Sequence, residues 1–553
     1  MEQAIIVLIC ILIFIILVPA ALFLWIYIRD EKQEEHSVLR NYPAAGKLRY
    51  IFEKIGPELR QYLFSNDNEE QPFSRREYEQ TVMSGKYKSR MMGFGSERDF
   101  DQPGYYIRNA LFPKQREELR TDQTPKIDTM VYKIDKDNLL KRSEHREKAK
   151  ADPYYLHPDD VQVIGRDTCK KPFYVKGLIG QSAMSYGSLG DRAITALSKG
   201  LHQAGGTWMN TGEGGLSEYH LKGGADIICQ IGPGLFGVRT EDGEFSWEEF
   251  KKKSRLEQIK AFELKLAQGA KARGGHIDGS KVTEEIAAIR NVQPGQSIDS
   301  PNRFNEFSNA PDMLDFIEKL RTVGEKPVGI KIVPGSRKDL EDLISCMSSS
   351  GKLPDFITID GSEGGTGASF HELADSVGLP ILTGLPLVDG LLKTYGIRDK
   401  LKIFASGKLL TPDKIAVALA LGADFVNIAR GMMFSVGCIR AQVCHTNHCP
   451  VGVATTDPKL QRALSIEDKQ HRVCNYVLSL REGLFHLAAA AGISSPIHFS
   501  AEHIVYREED GSLRELPGLL NQLRKKPPAV IGRAVFYVAE EDSPLFTRSS
   551  AIS

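Results

Sequence analysis

The feature that most constrains the fold is a series of eight short, strand-like apolar runs, most of them separated by segments compatible with helices. The runs cover residues 174–180, 206–210, 226–231, 260–267, 327–333, 356–360, 401–405 and 425–429. Helix-compatible segments include 281–291, 311–323, 336–350 and 411–421. Alternating strands and helices form parallel sheets, and eight such units close into a barrel. The sequence therefore predicts an α/β fold, a (β/α)8 TIM barrel, with an insertion in the long interval between the third and fifth strands.

An open, doubly wound sheet is the alternative architecture for the same alternation of strands and helices. In that fold a G-x-G-x-x-G sequence commonly follows a strand and opens a helix. The chain has no such sequence at a boundary between a predicted strand and a predicted helix. We therefore expect the closed barrel.

The N-terminal segment, residues 4–28, is an apolar run without a charged side chain. A helix of this length, rising ~1.5 Å per residue, spans a hydrocarbon core of ~30 Å. A cleaved signal peptide would have a shorter apolar run and would begin with basic residues. Basic residues instead follow the run, at Arg29, Lys32, Arg40, Lys47 and Arg49. Because such residues mark the cytoplasmic side, the sequence predicts a single-pass anchor in the cell membrane with the catalytic domain in the cytoplasm.

Four regions are expected along the chain. Residues 1–29 are the transmembrane anchor, 30–150 a polar helical N-terminal region, 151–460 the barrel with a cysteine-containing loop, and 461–553 a C-terminal helical segment (470–491) with an irregular tail. The 71 basic and 71 acidic side chains balance. A neutral chain has no basic surplus for a nucleic-acid partner, so none is expected.

Glycine-rich segments follow nearly every predicted strand. They include SAMSYGS (182–188), NTGEGG (210–215), QIGPG (230–234), AQGAK (267–271), DGSEGGTGAS (360–369), SGKLLTP (406–412) and ARGM (429–432). Reactive groups of parallel barrels lie just past the carboxyl ends of the strands, where glycine lets the backbone approach a large ligand. The turns Gly407-Lys408 and Arg430-Gly431 follow the seventh and eighth strands, the usual phosphate corner. Together these segments predict a phosphorylated cofactor.

Two lysines interrupt apolar strands. In FELKLAQ, Glu263 and Lys265 alternate with apolar residues, so both are expected to face the barrel interior. Lys331 lies between isoleucines in GIKIV. A buried lysine needs an anionic partner. Two interpretations of Lys265 remain open: it forms a buried ion pair with Glu263 or with a group on a neighbouring strand, or it is a cation beside the N1/O2 edge of a flavin.

Three cysteines form the most specific local signal. Cys438, Cys444 and Cys449 lie in a C-x5-C-x4-C run that ends in Cys-Pro, as in cluster-binding loops of ferredoxins. A disulfide is disfavoured in the cytoplasm. A zinc site with His445 or His448 as the fourth ligand remains an alternative, although its spacing fits no common zinc pattern. Three thiolates without an obvious fourth favour a cluster with three irons.

These motifs, from SAMSYGSL through NTGEGG and KLAQGAK to GCIRAQVCHTNHCPVGVAT, resemble the FMN-binding synthase domain of glutamate synthases over roughly residues 155 to 460. The anchored form is similar to short glutamate-synthase-like proteins of bacteria. The resemblance implies a (β/α)8 barrel, FMN and a [3Fe-4S] cluster. It also implies reduction of 2-iminoglutarate, formed from 2-oxoglutarate and ammonia, to L-glutamate.

Site residues follow from the same resemblance. Glu213 would be the acidic residue near the flavin and the ammonia exit, and Gln268, Lys271 and Arg290 would bind 2-oxoglutarate; Glu213, Lys271 and Gln268 are the expected catalytic residues. From the residues alone, Arg290 could instead compensate the dipole of the helix that it ends. With the strand-end positions above, the expected cofactor-binding residues are Ala183, Met184, Ser185, Asn210, Gly212, Gln230, Lys265, Lys331, Gly364, Gly365, Gly407, Lys408, Arg430 and Gly431.

The chain departs from the family's pattern beside the expected substrate. Lys271 is followed by ARGGHIDG, one residue shorter than the family's segment, with Arg273 and His276 in place of acidic and amide residues, and Ser406-Gly407-Lys408 replaces a DGG-type turn. A second hypothesis is therefore a membrane-anchored flavin and iron–sulfur electron-transfer protein that serves a different acceptor.

The resemblance also bears on the source of the nitrogen atom and on the electron donor. It does not extend to the family's amidotransferase domain, so we expect no glutaminase activity and the use of ammonia that is free or supplied by a partner. Because the chain has no dinucleotide fingerprint, the expected electron donor is ferredoxin or an NADPH-oxidising subunit.

Overall fold

The computed structural model describes residues 2–33, 35–138, 141–518 and 520. The chain divides into two compact units, Met1–Arg76 and Glu77–Ser553. The first unit contains helices α1 (Glu2–Lys32), α2 (Ser37–Asn41) and α3 (Gly46–Leu59), and α3 continues into a π-helical turn, Arg60–Phe64. Among the described residues one helix, Ile13–Lys32 with mean hydropathy 2.0, is long and apolar enough to cross a membrane.

The second unit is built around a closed barrel of eight parallel strands. They are β1 (Ile179–Gln181), β2 (Met209–Asn210), β3 (Ile227–Ile231), β4 (Ile259–Lys265), β5 (Val328–Ile332), β6 (Phe356–Asp360), β7 (Lys402–Ser406) and β8 (Phe425–Ile428). Each strand pairs with the next along the chain, and β8 pairs with β1 through Val426 and Ile179. The predicted TIM barrel is confirmed, and each predicted run overlaps one strand of the barrel, although the first run also overlaps the separate strand Phe173–Val175.

Helices alternate with these strands as expected. They are Asp191–Ala204, Glu218–Leu221, Trp247–Ser254, Glu284–Arg290, Ala310–Gly324, Arg337–Ser350, His371–Ser376, Ile381–Thr394, Pro412–Ala420, Arg430–Ser435, Pro458–Gln461 and Ile466–Ala490. The expected insertion lies between β4 and β5, where His276–Ile277 pairs antiparallel with Ile298–Asp299 around the helix Glu284–Arg290. The last helix includes most of the predicted segment 470–491.

The expectation of a polar helical region over 30–150 holds only as far as Tyr87, and strands follow. After the helix Arg75–Tyr87 come the strands Gly104–Ile107 and Thr121–Asp122, and then a hairpin of Ile127–Asn138 with Lys141–Ala151. The lysines and glutamates of the second hairpin strand favour helix only weakly, and strand pairing overrides that preference. Asn475 of the last helix holds the hairpin's base, since its Nδ2 donates to the Met130 carbonyl at 2.8 Å.

The C-terminal segment also contains strands that the sequence did not indicate. Ile504–Arg507 pairs with Gly104–Ile107 on one side and with Leu513–Glu515 on the other. Beyond residue 520 the expected tail lies outside the described residues.

Aromatic side chains fill the lower part of the barrel. Trp208 is fully buried, with ring centroids 5.2 Å from Phe404 and 5.5 Å from Phe425, and its indole N–H donates to Oδ1 of Asn427 at 2.8 Å. Gly180 on β1 makes room for it, because a Cβ there would lie 2.2 Å from the indole ring. The aromatic layer closes one end of the barrel, so the polar side chains collect toward the carboxyl ends of the strands.

Candidate active site

A buried carboxylate lies at the centre of the polar layer. Glu263 on β4 is 1% exposed and accepts hydrogen bonds from Asn210 Nδ2 at 3.0 Å, Gln230 Nε2 at 2.6 Å and Thr358 Oγ1 at 2.7 Å. The donors come from β2, β3 and β6, so all four side chains point into the barrel. The expected inward orientation of Glu263 is confirmed. Its bonds orient the amides of Asn210 and Gln230, two of the expected cofactor-binding residues.

The loops after β1 and β2 are in close contact. Asn210 Oδ1 accepts from the Gly212 amide at 3.0 Å, and the Met184 amide donates to the Asn210 carbonyl at 3.2 Å. Gly212 has φ +67°, and a Cβ there would lie 2.7 Å from the Ser185 nitrogen. Only glycine satisfies both constraints. The contact brings the 183–185 segment beside Asn210 and Gly212, as the resemblance implies.

His220 supports these loops from behind, a role that sequence reasoning missed. Ser217 donates its amide to Nδ1 of His220 at 3.2 Å, so Nε2 carries the proton and donates to the Met184 carbonyl at 3.2 Å. Burial lowers the pKa of His220 to about 4, so the ring is neutral at physiological pH. The S-x-x-H spacing of Ser217 and His220 at a short helix was the available signal.

Three charged side chains converge at the carboxyl end of the barrel. Oε1 of Glu213, after β2, accepts from Nζ of Lys265 at 2.5 Å and also from Nζ of Lys271. The two lysine side chains are 4% and 5% exposed. The expected buried ion pair of Lys265 therefore exists, but its partner is Glu213 rather than Glu263.

Burial and charge pull the pKa values of this cluster in opposite directions. Burial raises the pKa of the Glu213 carboxyl, but the two ammonium groups outweigh it, and the net pKa is well below its usual range. Burial lowers the pKa of Lys265 to about 7; Lys271 adds to that effect and Glu213 opposes it. At neutral pH Glu213 is ionised, and Lys265 can gain or lose a proton.

Lys331 has a separate anionic partner. Its Nζ lies 3.3 Å from Oδ2 of Asp360, which also accepts from the Gly269 amide at 2.9 Å. Burial lowers the pKa of Lys331, but Asp360 and Glu263 raise it by more, so this lysine stays charged. The Asp360 bond also fixes the tight 268–271 turn, in which the Gln268 and Lys271 backbones bond reciprocally at 3.1 and 2.8 Å.

Arg290 reaches the same region from the insertion. Its helix begins with Thr283 Oγ1 accepting from the Ile286 amide at 3.3 Å and ends at Asn291 in the left-handed conformation. The arginine is 1% exposed, and its Nη2 donates to the Tyr186 carbonyl at 3.1 Å.

The Arg290 guanidinium points toward the charged cluster. A Cβ on Gly214, next to Glu213, would lie 2.9 Å from Nη2. Burial lowers the pKa of Arg290 to about 10, and Glu213 opposes that shift. Its Nε is buried without a hydrogen-bond partner. An arginine that only compensated the helix dipole would extend into solvent, so this placement favours anion binding over the dipole interpretation.

Two cations lie close together at the turns after β7 and β8. Arg430 Nη2 donates to the Glu363 carbonyl, and a Cβ on Gly365 would lie 2.9 Å from Nη1. Burial lowers the pKa of Lys408, and the neighbouring Arg430 lowers it further. Lys408 itself has φ +49°, a left-handed conformation that is uncommon outside glycine and is often found at functional sites. Two like charges held together fit a phosphate.

Two of the expected cofactor-binding glycines also have packing roles. A Cβ on Gly431 would lie 2.4 Å from Oη of Tyr476, and one on Gly364 would lie 3.3 Å from Cα of Gly269. The first contact explains glycine at position 431 without a ligand, and the second leaves little room for a side chain at position 364.

The three expected cluster cysteines are brought together in one loop. Burial raises the pKa of Cys438 to about 12, and the charges of Cys444 and Cys449 add to that shift. The loop packs on the barrel mouth, where a Cβ on Gly367 would lie 3.1 Å from the Cys444 carbonyl group. Among the described residues, no group of three or more His, Cys, Asp or Glu side chains could hold a metal ion.

The departing segment after Lys271 borders the charged cluster. Gly275 lies against Lys271, since a Cβ there would lie 2.6 Å from Nζ. His276 Nδ1 is 2.8 Å from Oδ1 of Asp299 across the strand pair, and the Arg273 guanidinium lies 5.7 Å from the Phe370 ring centroid. The substituted residues thus form the outer wall of the site and leave Glu213 and Lys271 themselves in contact.

Known proteins match the chain over the barrel and over segments on either side of it. The sequence profile described as "Conserved region in glutamate synthase" matches residues 115–494. The glutamate synthase large subunit-like protein YerD of Bacillus subtilis (strain 168) is 79% identical over 522 residues, 94% of this chain and 99% of that protein. The archaeal glutamate synthase (NADPH) of Methanocaldococcus jannaschii is 35% identical over 315 residues, 56% of this chain and 58% of that protein.

A longer relative is matched only in part. The glutamate synthase (NADPH) large chain of Bacillus subtilis is 31% identical over 321 residues, which are 57% of this chain and 20% of that protein. The chain therefore spans about a fifth of this relative and little more than half of the archaeal one.

Proposed function

The chain belongs to the glutamate synthase family, and on this premise we propose that its barrel is an FMN-dependent oxidoreductase that reduces 2-iminoglutarate to L-glutamate. The overall reaction combines 2-oxoglutarate, ammonia, two electrons and two protons to give glutamate and water. The observation that carries the proposal is the buried cluster of Lys265, Glu213 and Lys271 beside Arg290 at the carboxyl end of the barrel.

Charge balance supports a dicarboxylate substrate. Three cations, Lys265, Lys271 and Arg290, surround the single carboxylate of Glu213. Buried charges are stable only when they are paired. A ligand with two carboxylates would neutralise the excess, and 2-oxoglutarate is such a ligand. The Nε of Arg290, which is buried without a partner, lets the guanidinium take one carboxylate through two parallel bonds.

The same cluster can deliver a proton. Reduction of an imine to an amine needs a proton at nitrogen, and Nζ of Lys271 is the donor that the family resemblance implies. A proton given up by Lys271 is replaced from Nζ of Lys265, because both groups bond the same oxygen of Glu213. The pKa of Lys265, about 7, suits a group that must gain and lose a proton near neutral pH. Gln268 is held on the same turn for substrate binding.

The residues present fit FMN, which would supply the two electrons of the reduction. Lys331 and Lys265 are the cations available for the N1/O2 edge of the ring. The segment 183–185 with Asn210, Gly212 and Gln230 would line the ring, and Glu263 holds the last two amides in place. Lys408 and Arg430, with Gly364, Gly365 and Gly407 around them, would bind the phosphate.

We further propose that Cys438, Cys444 and Cys449 would hold a [3Fe-4S] cluster, which would supply a path for electrons from ferredoxin or an NADPH-oxidising subunit. The support is that three free thiols, one buried and two half-buried, lie in one loop on the barrel mouth. Each cysteine of a multi-iron cluster binds a different iron, so its ligands stand farther apart than those of a single ion.

Membrane attachment through α1 and a cytoplasmic barrel complete the proposal. The candidate span ends with Arg29 and Lys32, which favour the cytoplasmic face. We also propose that nitrogen enters as ammonia, free or from a partner, without glutaminase activity of the chain itself.

The second candidate function is electron transfer to a different acceptor. It is favoured by the segment 272–278, where Arg273 and His276 form the outer wall of the site in place of the family's acidic and amide residues. A changed wall beside Lys271 would admit a different acceptor while leaving the cofactor residues as they are.

One experiment separates the two functions. Purified protein is loaded with FMN, reduced chemically under argon and mixed with 2-oxoglutarate, with and without ammonium or glutamine, while flavin absorbance and glutamate are followed. Reoxidation and glutamate formation that require ammonium support the proposal. Absence of both at every pH between 6 and 9 would contradict it and leave the electron-transfer function. Glutamate made from glutamine would contradict the absence of glutaminase activity.

A further inference from the structure

Helix α3 and the turn after it carry an apolar face that is exposed in the described structure. Residues three and four apart share one face of a helix. Seven large side chains follow that spacing: Leu48, Ile51, Phe52, Ile55, Leu59, Tyr62 and Leu63. Six of them are 41 to 68% exposed, and Leu59 is half-buried. At about 100° per residue, the face from Leu48 to Leu59 covers an arc of about 100°, which is typical of an amphipathic helix.

The remaining faces of the helix are charged, and the excess is positive. Between residues 46 and 64 there are four basic and two acidic side chains. The basic ones are Lys47, Arg49, Lys54 and Arg60. A helix with an apolar face flanked by basic residues binds anionic lipid surfaces, because the apolar side chains enter the interface while the cations contact the headgroups.

An ion pair fixes the start of α3 beside the end of α1. Asp30, whose side chain is 3% exposed, accepts from Nζ of Lys47 at 2.8 Å and from the Ala44 amide at 3.1 Å. Next to it, the Arg29 guanidinium lies 5.5 Å from the Trp25 ring centroid. Tryptophan and arginine at the end of an apolar span mark the level of the headgroups. The pair therefore places the first turn of α3 at the depth where α1 would leave the hydrocarbon.

We propose that Gly46–Phe64 lies in the plane of the membrane surface, with its apolar face inserted at the headgroup level of an anionic bilayer. The inference rests on the proposed anchoring by α1 and adds a second, lateral contact with lipid. Three observations favour lipid as the partner of this apolar face. They are the excess of basic side chains, the ion pair of Asp30 with Lys47, and the proximity to the candidate span.

Photo-crosslinking in the full chain tests this proposal. A benzophenone amino acid is placed either at Phe52, on the apolar face, or at Glu53, the adjacent position on the charged side. Each protein is reconstituted into phosphatidylethanolamine–phosphatidylglycerol vesicles, irradiated and analysed by mass spectrometry. We expect several-fold more lipid adduct at position 52 than at position 53. Both side chains are exposed, so neither replacement disturbs packing, and circular dichroism verifies the fold.

Two results would overturn the proposal. An adduct between two copies of the chain at position 52 would show that the apolar face packs against a second copy. Equal or absent lipid adducts at the two positions would show that the apolar face does not enter lipid. Alkaline carbonate extraction tests separately whether α1 anchors the chain in the membrane. A chain released by carbonate that still gives the lipid adduct selectively at position 52 would refute the anchor and leave the interfacial helix supported.

Discussion

Nζ of Lys265 lies 2.5 Å from Oε1 of Glu213, although the two residues belong to β4 and to the loop after β2. The strand between them, β3, contributes Gln230 to the layer below. Closure of the barrel therefore joins an anion and a cation that are 52 residues apart in the chain.

Glu213→Gln should be strongly destabilising as well as inactivating. The change leaves Lys265 and Lys271 buried without their shared anion, and removal of one partner of a buried ion pair costs ~3–5 kcal/mol. Urea unfolding and glutamate formation should both show the loss. Glu284→Gln, on the same unit but at an exposed helix start, serves as the control and should leave both quantities unchanged. Retention of full stability by the Glu213 variant would mean that the two lysines are not charged together.

Arg290→Lys should weaken 2-oxoglutarate binding while the flavin stays bound. A lysine cannot form two parallel bonds to a carboxylate, and a hydrogen bond to a charged group contributes ~1.5–3 kcal/mol, so KM should rise roughly tenfold or more. The measurement is initial rate against 2-oxoglutarate concentration. Arg273→Lys, on the outer wall, is the comparison that tells whether substrate contact extends there. An unchanged KM in the Arg290 variant would show that Arg290 is structural and only bonds the Tyr186 carbonyl.

Lys331→Met should lower the two-electron midpoint potential of the bound flavin. A cation near the N1/O2 edge interacts most with the reduced, more negative ring, and ~30 mV corresponds to ~1.4 kcal/mol, so a shift of at least that order is expected. Lys402→Met is the matched control, since Lys402 starts β7 at the other end of the barrel and contacts Gln162 at 2.9 Å. Equal potentials in the Lys331 variant and the unaltered protein would show that Lys331 pairs with Asp360 and does not stabilise the reduced flavin.

Cys444→Ser should remove iron and the associated visible absorption while most of the FMN remains. The reason is that three thiols in the 438–449 loop are the ligands available there, so loss of one leaves the cluster incomplete. Iron analysis and absorption spectra check it. Cys474→Ser, a buried cysteine in the last helix, should keep its iron. Full iron content in the Cys444 variant would refute the ligand assignment, and zinc in the unaltered protein would favour the alternative zinc site.

The rate with ammonium should rise with pH and then level off near pH 7. Free ammonia increases about tenfold per pH unit below the pKa of ammonium, whereas Lys265, with a pKa of about 7, loses its proton over the same range. Below pH 7 the first effect dominates, and above it the loss of the proton-donating form cancels the gain. In Lys265→Arg the guanidinium keeps its charge but cannot release a proton, so the rate with ammonium should fall at every pH. A profile for the unaltered protein that rises without a break to pH 9 would contradict the proton relay. The groups around Lys265 are Glu213, Lys271 and Lys331.

Some of the site could be predicted because its signals are local in the chain. The glycine-rich turns and the lysines of β4 and β5 follow directly from their strands, so their placement at one end needed only the correct fold class. The pairing of Lys265 could not be predicted, because Glu263 and Glu213 were both within reach of an inward-pointing lysine. The strand pairing of Lys141–Ala151 was missed for a different reason, since its charged residues favour helix and only the pairing with Ile127–Asn138 overrides that preference.

The sequence by itself determined the eight strands, the helices between them and the loops that carry the candidate residues, because alternation of apolar and polar side chains is a property of neighbouring residues. Only the tertiary structure decided which charges share a partner. Glu213 joins Lys265 and Lys271, Asp360 joins Lys331, and Glu263 is left to three neutral donors. The physical reason is that a buried charge is stabilised by whichever opposite charge the closed barrel brings within a few ångströms, and that distance depends on register and strand order rather than on separation along the chain.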